Sequence, residues 1–244
     1  MSEAKAAARS RVAGVGVIAG WWRAFRDYRP GLAHQFESAE QQREAASLGM
    51  WVFLATEVLF FGGLLAAYTV YRILYFDAFK AASHELDVAI GAVNTGVLLT
   101  SSLTMACAVW GTQTGRRRAA GLFLLATFVL GAVFLGLKFY EYWHKAEQHL
   151  VPGHGFHAAQ LGLPEGRWGE AQMFFCLYFG LTGLHALHML AGMAFVLGAV
   201  LPSFVGWFRP RNHGFIEGLG LYWHFVDIVW VFLFPLLYLV SRHE

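Results

Sequence analysis

The sequence predicts an all-α, polytopic membrane protein: a five-helix transmembrane bundle with its N-terminus inside and its C-terminus outside. Three observations carry that prediction. Of 244 residues, 57% are hydrophobic and only 14% are charged, against roughly 45–50% and 25% in soluble globular domains. Five apolar stretches, residues 48–71, 88–110, 119–140, 171–201 and 218–240, each reach the roughly 20 residues that a helix needs to cross about 30 Å of hydrocarbon. Basic residues are unequally divided between the segments that join these stretches. Backbone groups in lipid must pair internally, which selects helices over isolated strands. The 22 Phe, 9 Tyr, 9 Trp and 27 Gly suit the same class, because rings anchor the interface and glycine is tolerated within spans.

Residues 1–47 read as a cytoplasmic lead of mixed polarity. Its basic start (Lys5, Arg9, Arg11) precedes a short apolar run, residues 12–22, that superficially matches the first two regions of a signal peptide. The run is too short to span, and Trp21, Trp22 and Arg23 stand where a cleavage site needs small residues, so it reads as retained. Residues 48–244 form the five-helix domain. With the lead inside, the inner segments hold twelve Lys and Arg residues and the outer segments and outer helix ends hold six. Basic residues favour the cytoplasmic side, so N-in and C-out follows.

Arg116, Arg117 and Arg118, between spans two and three, serve as topology anchors. Those two spans are joined by only eight residues, 111–118, which predicts antiparallel neighbours. The external loop, residues 141–170, contains His144, His149, His154, His157 and two prolines. That composition suits an ordered loop or a partner contact, and its histidine spacing matches no tight metal-ligand motif. The fourth span, at 31 residues, is long enough to tilt, kink or extend into the headgroups. Before span five, Asn212, His213 and Glu217 read as a capping and close-packing segment. Cys107 and Cys176 lie in apolar runs and read as small buried residues. Glycines 62, 63, 91, 96, 131, 136, 180, 183, 192 and 198 permit close helix approach.

The informative positions are polar residues at membrane depth. Glu57, near the middle of span one, must be protonated, paired or hydrated. An interhelical hydrogen bond and a role in proton transfer both remain open for it. His185 and His188 are three residues apart on span four, as are His224 and Asp227 on span five, which puts each pair on one helix face. A polar seam joining Glu57, His185, His188, His224 and Asp227 is therefore geometrically possible, with packing hydrogen bonds, a proton-related role and metal or haem ligation as its candidate uses. Lys138 and Glu141, near the outer end of span three, are placed either to pair or to present charge to headgroups and a neighbouring subunit. His144 extends that face if the helix continues. No glycine-rich nucleotide loop, tight zinc motif or serine nucleophile elbow is present in the sequence. The basic arm reads as a membrane-side anchor rather than a reader of nucleic acid. Neither a catalytic residue nor a metal ligand is assigned.

Four segments carry a family resemblance: Gly49-Met-Trp-Val-Phe-Leu-Ala-Thr-Glu57-Val-Leu-Phe-Phe-Gly, Leu137-Lys-Phe-Tyr-Glu141-Tyr, Thr182-Gly-Leu-His185-Ala-Leu-His188-Met-Leu-Ala-Gly192 and Gly220-Leu-Tyr-Trp-His224-Phe-Val-Asp227-Ile-Val-Trp-Val-Phe-Leu-Phe. Together they resemble the five-span form of cytochrome c oxidase subunit III. The resemblance implies a non-catalytic subunit of a respiratory haem-copper oxidase in a bacterial inner membrane. It implies that this chain packs against subunits I and II, binds lipids and supports proton uptake, while haem, copper and oxygen chemistry belong to the partners and cytochrome c or a related donor supplies electrons. Glu57 is then the leading position for proton uptake and the subunit interface. Lys138, Glu141, His185, His188, His224 and Asp227 are positions of helix organisation. The two N-terminal spans of the seven-span form are missing, so the lipid cleft those spans help to form need not be identical here. An accessory subunit of nitric oxide reductase is the alternative within the fold; an independent transporter or b-type haem protein is the alternative outside it.

Overall fold

The computed structural model describes residues 35–153, 155–208 and 213–239. Among these residues the chain is all helical, with no strand. Five helices are long and apolar enough to cross a membrane. We label the helices α1 (Ala39–Leu74), α2 (Phe76–His84), α3 (Val88–Gln113), α4 (Arg117–Glu147), α5 (Trp168–Val205) and α6 (Gly214–Phe234), the last continued by a π-helical turn, Pro235–Leu239. The apolar run at 12–22 and Asn212 fall outside the described residues.

Local chemistry sets the helix ends. The Ser38 hydroxyl accepts from the Gln41 amide and starts α1, nine residues before the apolar run, so the end of the predicted lead is continuous with the first span. Asp87 caps α3 by accepting from the Ala89 and Ile90 amides. Such side-chain acceptors satisfy amides that the first helical turn leaves unpaired. At the other end of α5, Gly206 adopts φ +79°, a left-handed conformation that glycine enters without a Cβ penalty. The Arg117 side chain packs directly on it. Pro235 brings no amide hydrogen to the ladder, and there α6 widens into the π-helical turn that carries Tyr238 into the core.

The short connection between α3 and α4 makes them the most extensive helix pair, as its length predicts. α6 is the central element: 56% of its most apolar stretch is buried, against 11% for α1. Trp223 and Trp230 of α6, Phe134 of α4 and Tyr178 of α5 are all fully buried, and the Phe134 and Trp230 rings pack edge-on at 4.9 Å. α1 is peripheral and packs on α5 and α6. The outward faces remain apolar, with Leu59 and Ile73 among the most exposed side chains, because in lipid an apolar exterior carries no hydration cost.

Three local expectations change. Cys176 is exposed and Cys107 half-buried: both lie on outward faces, where lipid rather than a protein core accepts a small apolar thiol. Gly91, Gly131 and Gly192 do admit aromatic side chains of α6 and its extension at distances where a Cβ would crowd, whereas glycines 62, 63, 96, 136, 180, 183 and 198 face open space. Residues 141–147 belong to α4, so the connection from α4 to α5 is shorter than the predicted loop. The nine-residue α2 was not legible as a span. It buries Ala78, Phe79 and Ala82 against α5, and Arg167 fastens it by bridging Asp77 and Glu170.

Candidate functional site

Glu57 of α1 and His188 of α5, both near mid-helix, meet across the helix interface. Glu57 Oε2 lies 3.1 Å from His188 Nε2. His188 Nδ1 lies 2.9 Å from the Leu184 carbonyl, which can only accept, so Nδ1 carries a hydrogen. The bond between Nε2 and Oε2 then requires one further proton between the two residues. Either a neutral imidazole accepts from a carboxylic acid, or an imidazolium donates to a carboxylate. In both arrangements the pair is neutral overall, so no net charge faces hydrocarbon. Phe61 packs edge-on against the imidazole at 5.2 Å, and the Tyr222 hydroxyl donates to the His188 carbonyl. The pair lies in the wall of an open groove of about 770 Å³ between α1, α5 and α6, otherwise lined mainly by apolar residues such as Met50, Phe53, Leu187 and Phe195.

A second acid–base pair is sealed inside the bundle. Lys138 Nζ donates to Glu141 Oε2 at 2.9 Å and to the hydroxyls of Tyr178 and Tyr238 at 3.1 and 2.9 Å. Both tyrosines donate to Glu141 Oε1. The Trp230 ring centre lies 4.9 Å from the ammonium. Every charge here has partners, which is the condition for keeping a buried ion pair in a low-dielectric interior. The cluster points inward, so these charges do not face headgroups. Tyr178 and Tyr238 were not legible as its members, since a tyrosine in an apolar run reads first as core or interface. The buried face continues to Lys145, which donates to the Glu85 carbonyl and to Gln148. His144, expected on that face, is exposed: four residues beyond Glu141 returns nearer to its azimuth than three.

The remaining positions do not form one seam. His185 is buried between Phe134 and Trp230, with ring centres 5.5 and 5.4 Å away, and neither ring nitrogen has a hydrogen-bond partner among the described residues. Three residues along a helix leave a 60° offset, and α5 uses it to turn His188 toward α1 and His185 into the bundle. His224 of α6 bonds Ser102 of α3 through Nδ1 at 2.6 Å. Asp227 is buried, and neither carboxylate oxygen has a partner by hydrogen-bond geometry.

At the opposite end of the bundle, Arg116 stacks over Trp110 at 4.7 Å, Arg117 packs on Gly206, and Arg118 is exposed. His213 precedes α6 without capping it through its side chain. It pairs with Glu217 at 3.1 Å, and Glu217 also accepts from Gln113. Among the described residues no group of three or more His, Cys, Asp or Glu could hold a metal ion.

The comparisons with known proteins agree with this architecture. Residues 10–242 match the family described as "Cytochrome c oxidase subunit III". The chain is similar to a cytochrome c oxidase subunit 3 of Thermostichus vulcanus, 30% identical over 87% of this chain and 96% of the relative. It is similar to a cytochrome bo(3) ubiquinol oxidase subunit 3 of Pseudomonas aeruginosa, 27% identical over 86% of this chain and 92% of the relative. It also matches a "Heme-copper oxidase subunit I+III" of Aeropyrum pernix, 29% identical over 88% of this chain and 25% of that longer relative. With its five apolar helices and the match running nearly end to end, the chain belongs to the cytochrome c oxidase subunit III family, and its role is that of a non-catalytic subunit of a haem-copper oxidase.

Proposed function

We propose that this chain is the subunit III of a respiratory oxygen reductase, packed against subunits I and II, and that Glu57 and His188 support proton uptake by the catalytic subunit. The observation that carries this reading is the Glu57–His188 contact at 3.1 Å beside an open groove, with the other ring nitrogen held by the Leu184 carbonyl, a geometry that calls for one proton between the two residues. Moving that proton along the hydrogen bond changes the local dipole without baring a net charge to lipid. A neighbouring proton pathway in a partner subunit would sense that dipole, and the groove would hold acyl chains of membrane lipids that exclude water from the pair.

Haem and copper belong in this reading to the partner subunits. The donor set here favours that division: His185 faces aromatic rings, His188 is committed to Leu184 and Glu57, and His224 is bonded to Ser102. The Aeropyrum pernix relative, named for subunits I and III together, supports close packing of this fold on subunit I. Cytochrome c is the expected donor, and a quinol is the second reading because the Pseudomonas relative is named a ubiquinol oxidase subunit. Lys138, Glu141, His185, His224 and Asp227 organise the helices. The arginine triplet marks the cytoplasmic face of a bacterial inner membrane, with the N-terminus on the same side and the C-terminus external.

The test is Glu57→Gln and His188→Leu in the tagged, full-length chain, scored for co-purifying haem-copper subunits, haem content and decay of oxygen consumption across pH. The reading expects normal haem content with faster loss of turnover. Unchanged turnover and decay at every pH would sink the proton role, and a tagged chain recovered without haem-copper partners would sink the assembly.

A further inference from the structure

Polar groups at membrane depth are expensive unless protein covers them, and His224 is only partly covered by this chain. It lies about 15 Å along α6 from Gly214, near the middle of the span, and is half-buried. Its Nδ1 is bonded to Ser102, and no bond to Nε2 is found among the described residues. Its neighbours on the same face, Leu221 and Ile228, are half-buried and exposed, and Val231 beyond them is exposed. α1 and α3 both pack on α6 while making little contact with each other, so this strip of α6 is the floor of a trough between two helices. At its N-terminal end the seam between α3 and α6 is closed by Gln113 and Glu217.

We propose that this trough is the docking site for one transmembrane helix of a partner oxidase subunit, and that the docked helix presents a hydroxyl or amide side chain to His224 Nε2. The occupant follows from the chemistry. An acyl chain offers the imidazole no hydrogen bond, and headgroups lie about 15 Å away at the edge of the hydrocarbon. A helix carrying one polar residue in an apolar run fits both the apolar strip and the single unbonded nitrogen, in the way that polar side chains join helices within membranes. Glu57 and His188 make the contrast, since each already supplies the other's partner. This inference rests on membership of an oxidase assembly and adds the face that enters it.

The experiment places a benzophenone amino acid at Ile228, and in a separate variant at Val133 on the outward face of α4, in the tagged full-length chain in native membranes. Irradiation from position 228 is expected to give an adduct with another oxidase subunit, and from position 133 adducts with lipid alone. Lipid adducts alone from 228, or a subunit adduct from 133 but not from 228, would overturn the proposal. His224→Leu is expected to lose the partner subunits several-fold faster in detergent than the unsubstituted chain, with His224→Gln restoring retention; equal retention of all three would also overturn it. Haem recovered with the tagged chain but without an adduct from 228 rejects this docking face while leaving the assembly intact. Absence of haem-copper partners from the tagged chain rejects both.

Discussion

Two of the acid–base pairs in this bundle, Lys138 with Glu141 and Glu57 with His188, are built in opposite ways. Lys138 and Glu141 are sealed, with each charge shared between two tyrosines and a tryptophan ring covering the ammonium. Glu57 and His188 share one hydrogen bond at the wall of an open groove and need a single proton between them. The difference teaches that depth in a membrane does not by itself mark a functional carboxylate. Redundant partners fix geometry, whereas the pair at the opening has one hydrogen bond between its members, which is why the proposed proton role is assigned to it and not to the sealed pair.

Breaking the sealed pair should have the largest effect on stability. Lys138→Met leaves the Glu141 carboxylate buried without its cation, and removing one member of a buried pair costs about 3–5 kcal/mol. Recovery of the assembled chain in detergent should fall sharply, and thermal unfolding of the purified complex should shift down. Replacing both charges, Lys138→Met with Glu141→Leu, should recover much of that loss, because an apolar core can substitute for a buried ion pair; no recovery would place the cluster's importance outside helix packing. A smaller effect is expected from Gly206→Ala, which forces a side chain into φ +79° and against Arg117. Backbone strain of this kind costs about 1–3 kcal/mol, read as a lower unfolding temperature. Tyr238→Phe removes one of several bonds to Glu141 and should cost about 1 kcal/mol, with turnover of the intact complex unchanged. The smallest stability effect belongs to Glu57→Gln, within about 1 kcal/mol, since an amide can still bond the imidazole.

Legibility in the sequence followed the length scale of the signal. The five spans were readable because a bilayer demands about 20 apolar residues whatever the neighbours do, and the eight residues between the second and third apolar stretches, of which only 114–116 lie outside α3 and α4, already implied the pairing of those helices. The nine residues of α2 carry no such demand, and its burial depends on a contact with α5 far along the chain. Glu57 stood out as a carboxylate in an apolar run, but its partner could not be chosen among His185, His188, His224 and Asp227; on α5 a 60° offset decides which imidazole faces α1. Tyr178 and Tyr238 stayed hidden for a related reason. Their hydroxyls matter only once α5 and the π-helical turn after α6 converge on Lys138. Spacing on one helix is written in the sequence, and the azimuth at which helices meet is not.

The most direct test of the contrast compares Glu57→Gln and Tyr238→Phe in the same purified oxidase, following oxygen consumption per haem over repeated turnover alongside retention of this chain. The account predicts that Glu57→Gln shortens the active lifetime while the chain stays bound, and that Tyr238→Phe loosens the chain while the intact fraction turns over normally. Equal lifetimes for Glu57→Gln and the unsubstituted oxidase, or a lifetime defect confined to Tyr238→Phe, would contradict it.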